Sequence, residues 1–207
     1  MPKPTEMGLR ERKKRETRLA LSHATIALCV ERGWAEVTVD DIADAAGVSV
    51  RTFRNYFANK AEAIAARHLE RMRQIAEELR ERPVSEPLWE AISASVQNRF
   101  ALGHDMFDAS SADARWVAGV RTMLAEPAVQ RAVLEAGTIA QRELAVVIAE
   151  RTGTDPDRDL YPDLVAAMVG AACTVAVDHS QRSEPPRPVG PLMREAFDRL
   201  AAGFPAP

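Results

Sequence analysis

The run TVDDIADAAGVSVRTFRNYFANK, from Thr38 to Lys60, decides the fold. A helix-turn-helix sets two short helices steeply across each other. It therefore requires a small residue at the crossing, a conformationally tolerant residue in the turn, and apolar positions that lock the pair. Counted from Val39, the stretch supplies each in register. Ile42 and Ala46 face inward on the first helix, Ala43 is the small residue at the crossing, and Gly47 makes the turn. Val48, Phe53 and Tyr56 close the pair from the second helix. Thr38 stands where an N-cap belongs, with Asp40 and Asp41 favourable in the first turn, while Ser49 and Asn59 are placed to cap the next two helices. A lone Ala-x-x-x-Gly says little; the complete set with its caps is specific.

Upstream, a periodic segment runs from about Arg15 to Arg32, with Leu19, Ser22/His23, Ile26/Ala27 and Val30 at helical spacing and Gly33 as its stop. Arg10, Arg12, Lys13, Lys14, Arg15 and Arg18 form a dense cluster relieved by Glu11 and Glu16, the composition of an arm that tracks phosphates. Within it Lys14 and Arg18 are assigned to the DNA backbone. The charge is segregated: 11 Lys and Arg stand against 8 Asp and Glu in residues 1–60, and 16 against 22 in residues 61–207. A net charge of −3 therefore hides a basic end.

Downstream, an amphipathic pattern from Lys60 to about Arg82 passes through Ala61, Ile64, Ala65, His68, Met72, Ile75 and Leu79 and stops at Pro83. Further helical segments are expected near Pro87–Leu102, Ala109–Leu124, Pro127–Thr152, Arg158–Ser183 and Val189–Ala202, divided by Gly- and Pro-bearing breaks. No alternating strand pattern of useful length and no internal repeat is present. The expectation is an all-α protein of about nine helices, divided into a helix-turn-helix part over residues 1–60 and a helical-bundle part over 61–207.

Ala, Leu, Arg and Glu dominate, and aromatics make up only 5%, which suits helices. Cys29 and Cys173 are far apart in sequence, and no Cys or His lies near either at metal-ligand spacing, so neither a disulfide framework nor a metal site is expected. His23, His68, His104 and His179 are scattered, and neither a phosphate-binding glycine loop nor a nucleophile elbow occurs, so enzymatic and cofactor readings have little support. No apolar run of membrane-spanning length and no signal-like start is read, and the chain is expected in the cytoplasm.

Residues Leu19 to Ile64, centred on Thr38–Lys60, resemble the DNA-binding signature of the TetR family of bacterial regulators. The resemblance implies a three-helix DNA-binding domain, a helical sensor domain, and a homodimer formed by the last two long helices. It also implies that Thr38, Tyr56 and Lys60 hold phosphates through a cap hydroxyl or amide, a phenol and an ammonium. Arg54 replaces an aromatic often seen after the position of Phe53 in this family and is expected at the backbone or a flanking groove. Trp116 to Gln141 with Val165 to His179 resembles the actinobacterial mycofactocin-cluster regulators, which implies an acyl-CoA effector.

In a helix-turn-helix the first residues of the second helix enter the major groove, which places Val50, Arg51 and Thr52 at base edges and Asn55 one turn on. Arg51 suits guanine, Val50 a thymine methyl, and Asn55 adenine or a phosphate. Two such helices must meet successive grooves about 34–36 Å apart, which calls for a two-fold dimer. Ala166, Ala167, Gly170, Ala171, Ala172, Thr174 and Ala176 are small enough for close helix approach between subunits, and Leu192, Phe197 and Leu200 offer bulk for the second helix pair.

Candidate walls of an effector pocket are Met72, Phe100, Met106, Phe107, Trp116, Val120, Met123, Leu124, Val169 and Cys173, with Arg121, His104 and Asn98 to orient a polar head. Arg121 interrupts an apolar stretch, with Glu143 or Asp178 as possible partners. The reading is a repressor of palindromic operator DNA released by a small, largely apolar effector, whose switch is a shift of the helix after Asn59. The alternative is a ligand-independent activator or architectural DNA-binding protein.

Overall fold

The computed structural model describes residues 8–101, 114–183 and 187–203, and among these it contains nine α-helices and no strand. They are α1 (Leu9–Arg32), α2 (Val39–Ala45), α3 (Val50–Tyr56), α4 (Lys60–Glu81), α5 (Leu88–Ala101), α6 (Ala114–Ala125), α7 (Pro127–Thr152), α8 (Leu160–Arg182) and α9 (Val189–Ala201). The all-α expectation holds.

Helix α1 starts at Leu9, six residues before the periodicity expects, because the basic cluster is itself helical. Lys, Arg and Glu are good helix formers, and Arg12 and Glu16 pair across one turn at 3.6 Å. Its buried face is also shifted from the expected one: Leu21, Ser22, Thr25, Ile26, Leu28 and Cys29 are buried, whereas His23 and Ala27 are exposed. The helix packs on α2, α4 and α6, so its inward face is wider than one amphipathic stripe.

Helix α4 is the shared member of both halves, in contact with α1, α5 and α7. Ala61, Ile64, Ala65, Met72, Ile75 and Leu79 are buried as the pattern expects. Glu70 and Arg71 are buried with them. Two bidentate pairs fix α4 to α7: Arg73 reaches Glu143 at 2.6 and 2.7 Å, and Arg80 reaches Glu150 at 2.8 and 3.3 Å. The pairs advance together by seven residues on each helix, so α4 and α7 run parallel. Arg151 closes the array by donating to the backbone carbonyls of Arg82, Pro83 and Glu86, just beyond the end of α4.

Helix α9 lies on α5 and α8. Here the structure corrects the sequence expectation, because Leu192, Phe197 and Leu200 are buried inside the protomer along with Val189 and Met193. An amphipathic helix lays its apolar side on its own core, and α9 turns Arg194, Glu195, Asp198 and Arg199 outward. Helix α8 behaves differently. Val165, Ala166, Val169, Cys173 and Ala176 face the core, yet Leu160, Leu164, Met168 and Val175 are exposed, and α7 beside it exposes Leu134, Ile139 and Val146. By length and composition α8 could cross a membrane, with a mean hydropathy of 1.7 over Leu160–Ser180, contrary to the expectation that no run would. That character comes from being apolar on its outer face as well as its inner one.

The sensor half also meets α1 through α6. At Gly119 the two helices approach so closely that a methyl group would sit 2.7 Å from the Val30 carbonyl oxygen and 2.8 Å from Val30 Cγ1. Backbone cannot yield as a side-chain tip does, so Gly119→Ala is expected to separate α6 from α1 at a cost of roughly 1–3 kcal/mol. Urea unfolding checks it: an unchanged midpoint would show that the two helices are free to part there.

Candidate nucleic-acid interface and sensor core

Helices α2, α3 and α4 are each capped by the residue the sequence designates. The Thr38 hydroxyl accepts from the Asp41 amide at 3.1 Å while the Thr38 amide donates to the Asp41 carboxylate at 2.8 Å, a reciprocal capping box. The Thr38 hydroxyl also donates to that carboxylate, and these bonds, the hydroxyl foremost, hold the Asp41 carboxyl below its usual range. Ser49 caps α3 by accepting from the Thr52 amide at 3.1 Å, and Asn59 caps α4 by accepting from the Glu62 amide at 3.0 Å. Such caps are worth about 1 kcal/mol each.

Gly47 has φ of +66°, a left-handed conformation that a side chain would strain, and it allows the Val48 amide to return to the Ala43 carbonyl at 2.9 Å. Ala43 is buried, as the helix crossing requires. Phe53 and Phe57 anchor α3 from beneath, both buried, with ring centroids 5.7 Å apart. With Phe53 inward, α3 turns Arg51, Arg54 and Asn55 into solvent, and Val50, Thr52 and Tyr56 lie half-buried at its edges. Thr52 shares a 2.9 Å hydroxyl–hydroxyl bond with Ser49.

The cationic residues assigned to phosphates divide. Lys14 is exposed. Arg18 is half-buried with its guanidinium 4.7 Å above the Phe57 ring, and burial, then the nearby Arg73, lower its pKa. Arg15 turns toward α4, where its Nε donates to Glu70 at 2.6 Å and its guanidinium also meets Glu77 at 3.6 Å. Lys60 lies over the Trp34 ring, 4.1 Å from the centroid, and its ammonium donates to the carbonyls of Trp34 and, at 2.7 Å, Val37. Sequence inspection misses this tie, because it joins the start of α4 to a loop over twenty residues upstream.

In the sensor half, the expected pocket residues Met72, Phe100, Val120, Met123, Val169 and Cys173 are buried, and Trp116 and Leu124 are half-buried. His104, Met106 and Phe107 lie outside the described residues. Arg121 is exposed, contrary to expectation. Helix α6 turns Val117, Val120 and Met123 inward, and Arg121, about 100° round from Val120, points away. The partners considered for it are engaged elsewhere, Glu143 with Arg73 and Asp178 with Arg182. Asn98 is likewise exposed and donates to Glu78 at 2.5 Å.

The sequence reading missed the buried charge. Arg71 is only 5% exposed and its guanidinium stacks 4.8 Å over the Phe100 ring. Beside it, burial and then Arg71 push the His68 imidazole down to about 4, leaving it neutral at physiological pH. Burial pushes the Cys173 thiol up to about 12, with Arg71 pulling the other way. A signal was available: Arg71 falls three residues after His68 and four before Ile75, on the inward stripe of α4.

A capped helix-turn-helix set on a helical bundle with a buried sensor-like interior defines a helix-turn-helix regulator of transcription. Residues 21–66 match the family described as bacterial regulatory proteins, tetR family, and residues 86–205 match the MftR C-terminal domain; the chain belongs to the TetR family of transcriptional regulators. It is 29% identical to the putative mycofactocin biosynthesis transcriptional regulator MftR of Mycobacterium tuberculosis, over 99% of this chain and 98% of that protein. It is also 29% identical to the transcriptional regulator TcmR of Streptomyces glaucescens, over 81% of this chain and 74% of that one. Among solved structures, FadR of Thermus thermophilus, a repressor in complex with lauroyl-CoA, has the same fold with a TM-score of 0.53 at 20% identity, covering 92% of this chain and 96% of that one.

The tie at Lys60 generates a prediction about stability. Lys60→Ala removes an ammonium shared between two carbonyls and a ring face, and is expected to cost about 2 kcal/mol in urea unfolding of the DNA-free protein. A variant as stable as wild type would show that this ammonium does not hold α4 to the upstream loop.

Proposed function

We propose that the chain is a repressor that binds palindromic operator DNA as a homodimer and leaves it when a small, largely apolar effector of the acyl-CoA kind occupies the sensor bundle. The observation that carries the reading is the outward face of α3, where Arg51 and Asn55 stand exposed beyond a left-handed Gly47 while Phe53 is locked beneath. Val50, Arg51, Thr52 and Asn55 read base edges; Thr38, Arg54, Tyr56, Lys60, Lys14 and Arg18 set the register on phosphates. In that role Lys60 exchanges a backbone carbonyl for a phosphate oxygen at the N-terminus of α4. Residues 1–60 form the reading head and 61–207 the sensor and dimerisation part, and the protein works in the cytoplasm, where its DNA lies.

The outer face of α8 supports the same reading. The expected pair of last long helices contributes unequally: α8 supplies an apolar centre through Leu164, Met168 and Val175, with the small Ala171 and Thr174 between them, and α7 flanks it. Such a face, self-complementary about a two-fold axis, fits a second copy that spaces two α3 helices for successive grooves. The acyl-CoA class is supported by the MftR-type C-terminal domain and by the lauroyl-CoA held in a relative of the same fold. Helix α4, shared by head and sensor, carries the signal between them.

Two measurements test this. Arg51→Ala is expected to weaken binding to a duplex selected from random sequence by about 1–3 kcal/mol while leaving random-DNA affinity and the thermal midpoint unchanged. Equal losses on both DNAs would assign Arg51 to phosphate instead. Met168→Arg buries a charge at the centre of the proposed interface. Sedimentation is expected to show a folded monomer that no longer protects the operator, and a persisting dimer would place the interface elsewhere.

A further inference from the structure

The outer face of α8 carries an order along its length as well as an apolar character. Its outward positions at helical spacing are Leu160, Leu164, Met168, Ala171 and Val175, and the same stripe ends on Asp178 and Arg182, which pair with each other. Leu160 and Val175, at the two ends of the apolar run, are 71% and 60% exposed. Large and small residues are complementary about a point midway between Ala167 and Met168. Leu164 and the small Ala171 lie equally far on either side of that point, as do Met168 and Ala167, and Leu160 and Val175. Charge is divided between the ends. Asp155, Asp157, Asp159 and Asp163 stand exposed in the turn before the helix and in its first turn, met locally by Arg158 and by Arg142 of α7. His179 and Arg182, with Arg187 in the segment that follows, stand exposed at the other end.

We propose that α8 packs antiparallel on the α8 of a second copy, across a two-fold axis between Ala167 and Met168, with the acidic start of each helix beside the basic end of the other. The inference rests on the homodimer reading above and specifies its geometry. A two-fold axis perpendicular to the helix sets Leu164 against Ala171 of the partner subunit and Met168 against Ala167 of the partner subunit, so that bulk on one helix meets space on the other. The small Ala167 and Ala171 lie near the crossing, where two helices approach most closely. A parallel pair instead sets every side chain against its own copy. Leucine on leucine holds the helices apart, alanine on alanine leaves a void, and the two acidic ends face each other. Antiparallel packing places the carboxylates of Asp155, Asp157, Asp159 and Asp163 toward Arg182 and Arg187 of the partner subunit, and it also opposes the two helix dipoles. Protein and palindromic operator share one two-fold axis, so the register of α8 also sets where the two α3 helices stand along the DNA.

Disulfide mapping on the full-length protein tests the register, with sedimentation of each variant to report its oligomeric state. Cys29 and Cys173 are both buried and free, and wild type oxidised with diamide in the same way supplies the background. In the antiparallel pair residue 164 stands about 10 Å along the helix axis from its own copy, and residue 171 likewise, beyond the roughly 7 Å between Cα atoms that a disulfide spans. Leu164→Cys and Ala171→Cys, oxidised separately, are therefore expected to stay near background. Mixed, allowed to exchange subunits and then oxidised, they are expected to give about tenfold or more covalent dimer, joining one chain of each variant. Met168→Cys lies beside the axis and is expected to cross-link with its own copy. Cross-linking of Ala171→Cys or Leu164→Cys with itself overturns the antiparallel register, as does a Met168→Cys dimer that stays at background, and both leave the homodimer standing. A wild-type chain that sediments as a monomer overturns the register and the homodimer reading together.

Discussion

The burial of α4 along nearly its whole length, between α1 on one side and α5 and α7 on the others, is the constraint from which the rest of the structure follows. A helix of 22 residues spans about 33 Å, enough to reach from the reading head into the middle of the bundle. Its apolar stripe supplies the adhesion, which is directionless. The Arg73–Glu143 and Arg80–Glu150 pairs add register, because two bidentate contacts one heptad apart fit only one longitudinal alignment of α4 on α7. Half-exposed pairs of this kind add little net stability, so alignment is their main contribution.

The reading head depends on that alignment at second hand. Among the described residues, α2 and α3 hold to the molecule through α1 and the start of α4, with Lys60 on the Trp34 and Val37 carbonyls and Arg18 on Phe57 as polar fasteners beside the Phe53 and Phe57 core. Helix α6 touches α1 through backbone at Gly119, and α4 touches it through the Arg15–Glu70 pair. The head is therefore held by two sensor-side elements, α4 and α6, both of which meet α1. The basic cluster serves the same join: it is a helix that spends Arg15 and Arg18 on internal contacts and leaves Arg10, Arg12, Lys13 and Lys14 outside.

Helices α8 and α9 show how similar composition leads to opposite uses. Both are apolar enough to be expected at a subunit interface, but α9 commits its bulk to α5 and α8, and α8 is left with Leu164, Met168 and Val175 facing out. What distinguishes them is the width of the apolar arc. An amphipathic helix with one stripe is satisfied by its own protomer, whereas a helix apolar on two faces has surface left over for a partner.

By itself the sequence determined what local chemistry determines. Caps at Thr38, Ser49 and Asn59, the turn at Gly47, the inward Ile42, Ala43 and Phe53, and nearly every helix boundary are set by residues within a few positions of one another, and so they could be read directly. Tertiary structure decided whatever depends on groups far apart in the chain. It placed Lys60 on carbonyls over twenty residues upstream, Arg15 on Glu70, Arg121 in solvent, and Leu192, Phe197 and Leu200 inside the protomer. It also set Arg71 against Phe100, a partner on another helix that its place on the inward stripe of α4 does not name. The physical reason is range: caps and turns are bonds a residue makes with its sequence neighbours, whereas the burial of a charge or an apolar face depends on which distant surface packs against it.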